Sequence, residues 1–175
     1  MSIHIIVPGF CPAGLQNMST LHFASALLPS GWADDVQVVV TGETITKVTT
    51  GAAPGADDER HALAIPGTAS LHSHAFQRGM AGLAEIRGDT ADTFWTWRET
   101  MYRFALEMTP EAIEAVATLL YVEMLERGFT RVGEFHYLHH DHDGAPYANP
   151  AEMATRIARA AELSGIGLTM LPSFY

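Results

Sequence analysis

Residues 65–85 read IPGTASLHSHAFQRGMAGLAE. They place His72 and His74 two positions apart at the end of a short apolar run, with Gln77 and Arg78 close behind. In a strand, residues i and i+2 point to the same side. The spacing therefore aims two imidazole nitrogens at one point from one rigid element. Zinc and similar divalent ions take neutral imidazole as a ligand. His-x-His alone is a weak signal, and context strengthens it here. The pair follows Pro66-Gly67 and leads into a glycine-containing loop, as at the C-terminal end of a barrel strand that faces a catalytic mouth. The plain alternative is two polar side chains satisfied by backbone groups.

Two imidazoles do not close a metal site, because catalytic zinc commonly has three protein ligands and one open position. Further candidates are His136, His139, His140, Asp141, His142 and Asp143. Most of them lie in LHHDHDGAPY, which has the composition of a solvated loop, where metal capture would be adventitious. Glu134 and His136 share a strand face, so one of them is expected to line a cavity. The alternative for Glu134 is a buried polar network.

The elements that must position these residues can be read from pattern. LHFASALL and GWADDVQVVVTGETITKVTT predict strands, the latter a hairpin about Gly42, and GAAPGADDER predicts a loop. Together they predict a small antiparallel β unit. A short strand is expected near residues 68–72 and a helix over 94–107, FWTWRETMYRFALE. The clearest helix is TPEAIEAVATLLYVEMLERG. Thr109 can cap it, Pro110 suits its first turn, Gly128 suits its end, and Ile113, Val116, Leu120 and Met124 share a face. TRVGEFHYL follows as a strand. NPAEMATRIARAAELSG predicts a helix with a capping box from Asn149 to Glu152, Pro150 in the first turn and Gly165 at the end. IGLTMLPSFY is a third buried strand. The order strand, helix, strand, helix, strand predicts parallel strands with right-handed crossovers.

The 175 residues suffice for a domain with a hydrophobic core, and 47% hydrophobic against 17% charged residues is a globular balance. A net charge of −10 argues against nucleic-acid or anionic-membrane partners, which require clustered Lys and Arg. Cys11 is the only cysteine, so no intrachain disulfide is possible, which fits a reducing, cytoplasmic setting. No basic n-region and no membrane-length apolar run is read. Residues 1–17, punctuated by Pro8, Gly9, Pro12 and Gly14, read either as an N-terminal arm or as an extension upstream of a start at Met18.

LHSHAFQRGMAGLAE, FWTWRETMYRFA and VGEFHYLHHDHDGAPYANPAEMATRIARAAELSGIGLTMLPSFY resemble the formimidoylglutamate deiminases of the amidohydrolase superfamily, from about Met18 to Tyr175. His-x-His marks only the superfamily; HSHAFQR with WTWRE and EFHYLHHD is more specific. The resemblance implies an α/β fold, a metal-dependent (β/α)8 barrel with a small β-sandwich built from both chain ends. It implies one divalent metal, usually zinc, and hydrolysis of N-formimidoyl-L-glutamate to N-formyl-L-glutamate and ammonia in histidine degradation. It implies His72 and His74 as metal ligands, Gln77 facing the formimino group, and Arg98 and Tyr137 holding the substrate. A homodimer is an open option for a full-length parent. Each side chain also has an ordinary reading: Gln77 as a loop cap, Arg98 as a surface ion-pair residue, Tyr137 as core.

The implied organisation is 1–17 as extension, 18–64 as a partial β-sandwich, and 65–175 as the first three strands and intervening helices of the barrel. Such a barrel needs about 250 residues. The later metal ligands, a His and an Asp, and the acid/base His are absent, so no catalytic set is complete in this chain. The expectation is the N-terminal portion of a deiminase, inactive by itself. The alternatives are another aminohydrolase of the superfamily, acting on a purine or pyrimidine ring, or a non-catalytic binding fragment.

Overall fold

The computed structural model describes residues 18–83 and 93–174. The readings of residues 1–17, of Cys11 and of the choice between Met1 and Met18 as the start lie outside or at the edge of that range. The chain divides into two compact units between Gly67 and Thr68.

In the first unit, β1 (Met18–Leu28), β2 (Gly31–Thr41) and β3 (Thr44–Thr49) form an antiparallel meander. The alternation that predicted it is visible in the pairing. Leu21 sits opposite Val38 and Phe23 opposite Val36, and all four are buried in one cluster with Ala26. Gly42 turns the hairpin at φ +59°, a conformation that costs glycine nothing. The antiparallel unit also carries one parallel edge. A fourth strand, β4 (Glu59–Ala64), joins the open side of β1 in parallel, giving the order β3-β2-β1-β4. Its first two residues fall in the stretch expected to be loop. The loop before it makes a parallel return possible because Asp58 ties it down, accepting from Gly55 N and Gln37 Nε2 at 2.8 Å each.

In the second unit, β5 (Thr68–Ser73), β6 (Phe129–His136) and β7 (Gly167–Pro172) form a parallel sheet in the order β5-β6-β7. A 3-10 turn (Ala75–Met80), α1 (Phe94–Leu106) and α2 (Pro110–Glu126) connect β5 to β6, and α3 (Glu152–Ser164) connects β6 to β7. This is the expected strand–helix rhythm. Thr109 caps α2, its hydroxyl accepting from Ala112 N at 3.1 Å, with Pro110 in the first turn and Gly128 at φ +88° beyond the end. The fully buried line of α2 is Ile113, Ala117 and Tyr121. Val116, Leu120 and Met124, expected on that line, flank it half-buried, because small Ala117 is what lets the neighbouring elements come close.

The capping box expected at α3 does not form. Asn149 Oδ1 accepts from Ala151 N at 3.0 Å, closing a turn around Pro150, and Asn149 O accepts from Glu152 N. The helix therefore starts at Glu152, whose carboxylate pairs with Arg156 at 2.9 Å instead of reaching back. Gly165 closes it at φ +83° as expected. Among the described residues no helix is long and apolar enough to cross a membrane.

Candidate metal and substrate site

Parallel strands bring their C-terminal ends to one edge of the sheet. At that edge of the second unit lie His72 near the end of β5 and His74 just after it, Phe135 and His136 at the end of β6 with Tyr137 just after it, and Ser173 after β7. β5 does not reach the edge as a regular strand. Ser70 pairs with Val132 and Ser73 with Glu134, so three steps on β5 oppose two on β6. The extra residue is a bulge of the kind that re-aims side chains beside functional sites, and it leaves Leu71 83% exposed.

The two imidazoles converge, with Nε2 to Nε2 at 3.1 Å and the rings edge-to-face at 87°. His74 Nδ1 lies 2.8 Å from the carbonyl of Phe135. A carbonyl only accepts, so Nδ1 carries the proton and Nε2 presents its lone pair, the form a metal takes. His72 stacks on the Phe135 ring at 4.5 Å and 29°. The separation lets both Nε2 atoms reach one ion at the usual Zn–N distance of about 2.0–2.1 Å, and the donor set suits zinc. Among the described residues no group of three or more His, Cys, Asp or Glu is placed to hold a metal ion.

A cleft of about 340 Å³ opens beside His74. Gln77, Arg98 and Tyr137 line it, with Phe94, Trp97, Met101 and Phe135 as apolar walls and Ser173 at the rim. Gln77 Nε2 donates to Tyr137 Oη at 3.1 Å and lies 3.5 Å from Met101 Sδ. The Tyr137 ring meets that of His74 edge-on at 4.8 Å. Arg98 donates from Nε and Nη2 to Tyr102 Oη at 3.2 and 2.8 Å, and its guanidinium lies over the Trp95 and Tyr102 rings at 5.7 and 5.0 Å. Phe94, Trp97, Arg98 and Met101 have the i, i+3, i+4, i+7 spacing of one helix face. That spacing in FWTWRETM was the sequence signal for the cleft wall; Ser173 had none.

The other candidates lie elsewhere. Glu134 and His136 are buried, 1% and 3% exposed, and neither lines the cleft. Glu134 lies in a buried polar setting with the Ala75 N–H, Ser73 and Tyr121. His139 Nε2 donates to Ser173 O at 2.9 Å, and His140 bridges to Pro146. His142 and Asp141 pair at 2.8 Å on the surface, the carboxylate raising the imidazole's pKa and being lowered in return.

Burial, and then the neighbouring His139, hold the pKa of His136 down to about 4. It is neutral in the fold, while an unfolded imidazole titrates near 6.5. Between those values the unfolded chain binds more protons, so stability falls as pH drops from about 6.5 toward 4, by at most about 3 kcal/mol from this group. NMR titration of the His136 ring checks this. An apparent pKa near 4 is expected, and one at or above about 6.5 contradicts it.

Comparison with known proteins bears on what this edge serves. A family model described as "Formimidoylglutamate deiminase HutF, N-terminal domain" matches residues 18–62, ahead of the histidine pair. The chain is 49% identical over 159 residues to a formimidoylglutamate deiminase of Pseudomonas aeruginosa, covering 90% of this chain and 35% of the relative. It superposes on the crystal structure of an amidohydrolase from Brucella melitensis with a TM-score of 0.84 and 62% identity, over 90% of this chain and 35% of that one. An atrazine chlorohydrolase from Arthrobacter aurescens TC1, solved with zinc, shares the fold at a TM-score of 0.66 and 18% identity, over 86% of this chain and 34% of that one. The chain thus spans about a third of the length of these relatives, and the resemblance to the formimidoylglutamate deiminases holds across nearly all of it.

Proposed function

We propose that this chain is the N-terminal portion of a cytoplasmic, metal-dependent formimidoylglutamate deiminase and carries half of its metal site and much of its substrate cleft. The enzyme would be a (β/α)8 barrel, of which β5, β6 and β7 are the first three strands. The observation that carries the reading is the convergence of His74, Gln77, Arg98 and Tyr137 on one cleft, with His72 Nε2 3.1 Å from His74 Nε2.

His72 and His74 would hold the divalent ion, zinc by its ligand preference. Such an ion supplies, when bound, a water acidified to a pKa of about 7 as nucleophile at neutral pH. The chain's own residues bind and orient. N-Formimidoyl-L-glutamate carries an amidine at one end and two carboxylates. Gln77, neutral and with both a donor and an acceptor, suits the amidine. Its Nε2 is engaged by Tyr137, so its Oε1 takes an amidine N–H. Tyr137 fixes that amide and stands beside His74, which places the amidine carbon next to the metal ligands. The phenyl and indole side chains of Phe94 and Trp97 give the cleft an apolar wall. Attack of water and loss of ammonia leave N-formyl-L-glutamate.

Arg98 binds a substrate carboxylate. Tyr102 orients its guanidinium through Nε and Nη2, and a guanidinium is a planar fork suited to a carboxylate. Arg98→Met in the full-length enzyme is expected to raise KM for formimidoylglutamate by about 10-fold or more, with kcat little changed, since the interaction exists in ground and transition states alike. Steady-state kinetics check it. An unchanged KM with a collapsed kcat would show that Arg98 acts on the chemistry.

A further inference from the structure

Glu134 is a carboxyl group 1% exposed, on the buried side of β6, and the mechanism above does not use it. Its Oε1 accepts from the backbone N–H of Ala75 at 2.6 Å. That N–H is the first of the 3-10 turn that begins directly after His74. His74 occupies the cap position of this turn, and its side chain makes no capping bond. The first N–H groups of a helical turn have no partner within it and need an acceptor from outside. Here the acceptor comes from the neighbouring strand, 59 residues away. The next residue of β6 completes the arrangement, since the Phe135 carbonyl takes His74 Nδ1 at 2.8 Å. Two consecutive residues of β6 thus hold His74 from both sides, Glu134 through the backbone and Phe135 through the ring. Gly133 lets β6 come this near: a Cβ there would lie 3.1 Å from Leu71 O.

A carboxyl in this place is costly. Burial raises its pKa, offset in part by the Ala75 N–H and by Ser73 and Tyr121. The buried Tyr121 hydroxyl and Ser73 lie against the same carboxyl. Stability alone does not account for a carboxyl buried under the sheet, because an apolar residue of similar size would avoid the desolvation. We propose that Glu134 is a positioning residue for the metal ligand His74, acting by accepting the Ala75 N–H and so fixing the backbone from which His74 projects. The acceptor serves whether or not the carboxyl is ionised. The inference rests on His72 and His74 being the metal ligands.

Two near-isosteric variants of the full-length enzyme separate this role from a charge effect and from mere packing. Glu134→Gln removes the charge and keeps an oxygen at the same reach. Glu134→Asp keeps the charge and draws the oxygen back by one methylene. Zinc affinity is read by competition with a chromogenic chelator, and kcat and KM on formimidoylglutamate are read alongside. Glu134→Asp is expected to weaken zinc by about 10- to 100-fold, the range for partners of metal ligands, and to lower kcat with KM near its starting value. Glu134→Gln is expected to stay within about 3-fold on each, since its oxygen still accepts the Ala75 N–H. Zinc affinity retained in Glu134→Asp, or lost in both variants alike, overturns the proposal. His72→Ala in the same assay tests the underlying metal reading separately. If it still binds zinc tightly the ligand assignment fails, whatever Glu134 does.

Discussion

Replacing His72 with alanine in the full-length enzyme is expected to abolish tight zinc binding and ammonia release together. His72 stands at the rim of the sheet, exposed, stacked on Phe135 and 3.1 Å from His74. It fills no core position, so its removal is expected to leave the fold intact and to delete one of the two imidazoles proposed to hold the metal. Without the ion, the nucleophile would revert to ordinary water, a far weaker acid. The Lewis-acid contribution is several kcal/mol, so turnover falls by about a thousandfold or more. Metal analysis of the purified variant and an ammonia assay read the two effects. Full activity in the variant, or activity in metal-stripped enzyme, would remove His72 from the site.

The second large effect concerns the 175-residue chain expressed alone. It is expected to release no ammonia from N-formimidoyl-L-glutamate and to lack a cooperative thermal transition with zinc present. Two imidazoles are fewer than the three protein ligands catalytic zinc commonly has, and no third group joins them among the described residues. Packing points the same way. Among the described residues β5 and β7 each pair only with β6 and form the two edges of a three-stranded sheet, and open edges template association. Leu71 is 83% exposed, Phe94 and Trp95 are 63% and 64%, and Phe174 is wholly exposed. Natural domains hold a margin of only about 5–15 kcal/mol, and apolar surface left in water subtracts from it. A sharp unfolding transition together with turnover would show that this chain is a self-sufficient enzyme.

The features legible in the sequence were those fixed by local chemistry. A threonine, a proline and a trailing glycine at their proper offsets marked α2, and β-branched runs about Gly42 marked the hairpin. His-x-His after a short apolar strand marked the edge where the imidazoles now meet. What the sequence hid depends on contacts distant along the chain. Nothing in Glu59–Ala64 says that it will lie parallel to β1, since that follows from how Asp58 closes the preceding loop. Asn149 had the right spacing for a capping box, but its amide oxygen closed a nearer turn around Pro150. The bulge in β5 is a property of its pairing with β6. Glu134 reads as a polar residue on a strand face, and its contact with Ala75 appears only once the two strands are neighbours. The cleft wall was the exception: the helical spacing of Phe94, Trp97, Arg98 and Met101 was present in the sequence and joins Arg98 to its apolar surroundings.

The most direct test is substrate choice by the zinc-loaded full-length enzyme, with ammonia release followed on N-formimidoyl-L-glutamate and, in parallel, on adenosine and cytosine. A cleft in which Gln77 meets an amidine and Arg98 a carboxylate predicts zinc-dependent turnover of the linear substrate and none of the rings. Turnover of a ring substrate with formimidoylglutamate untouched would contradict the account.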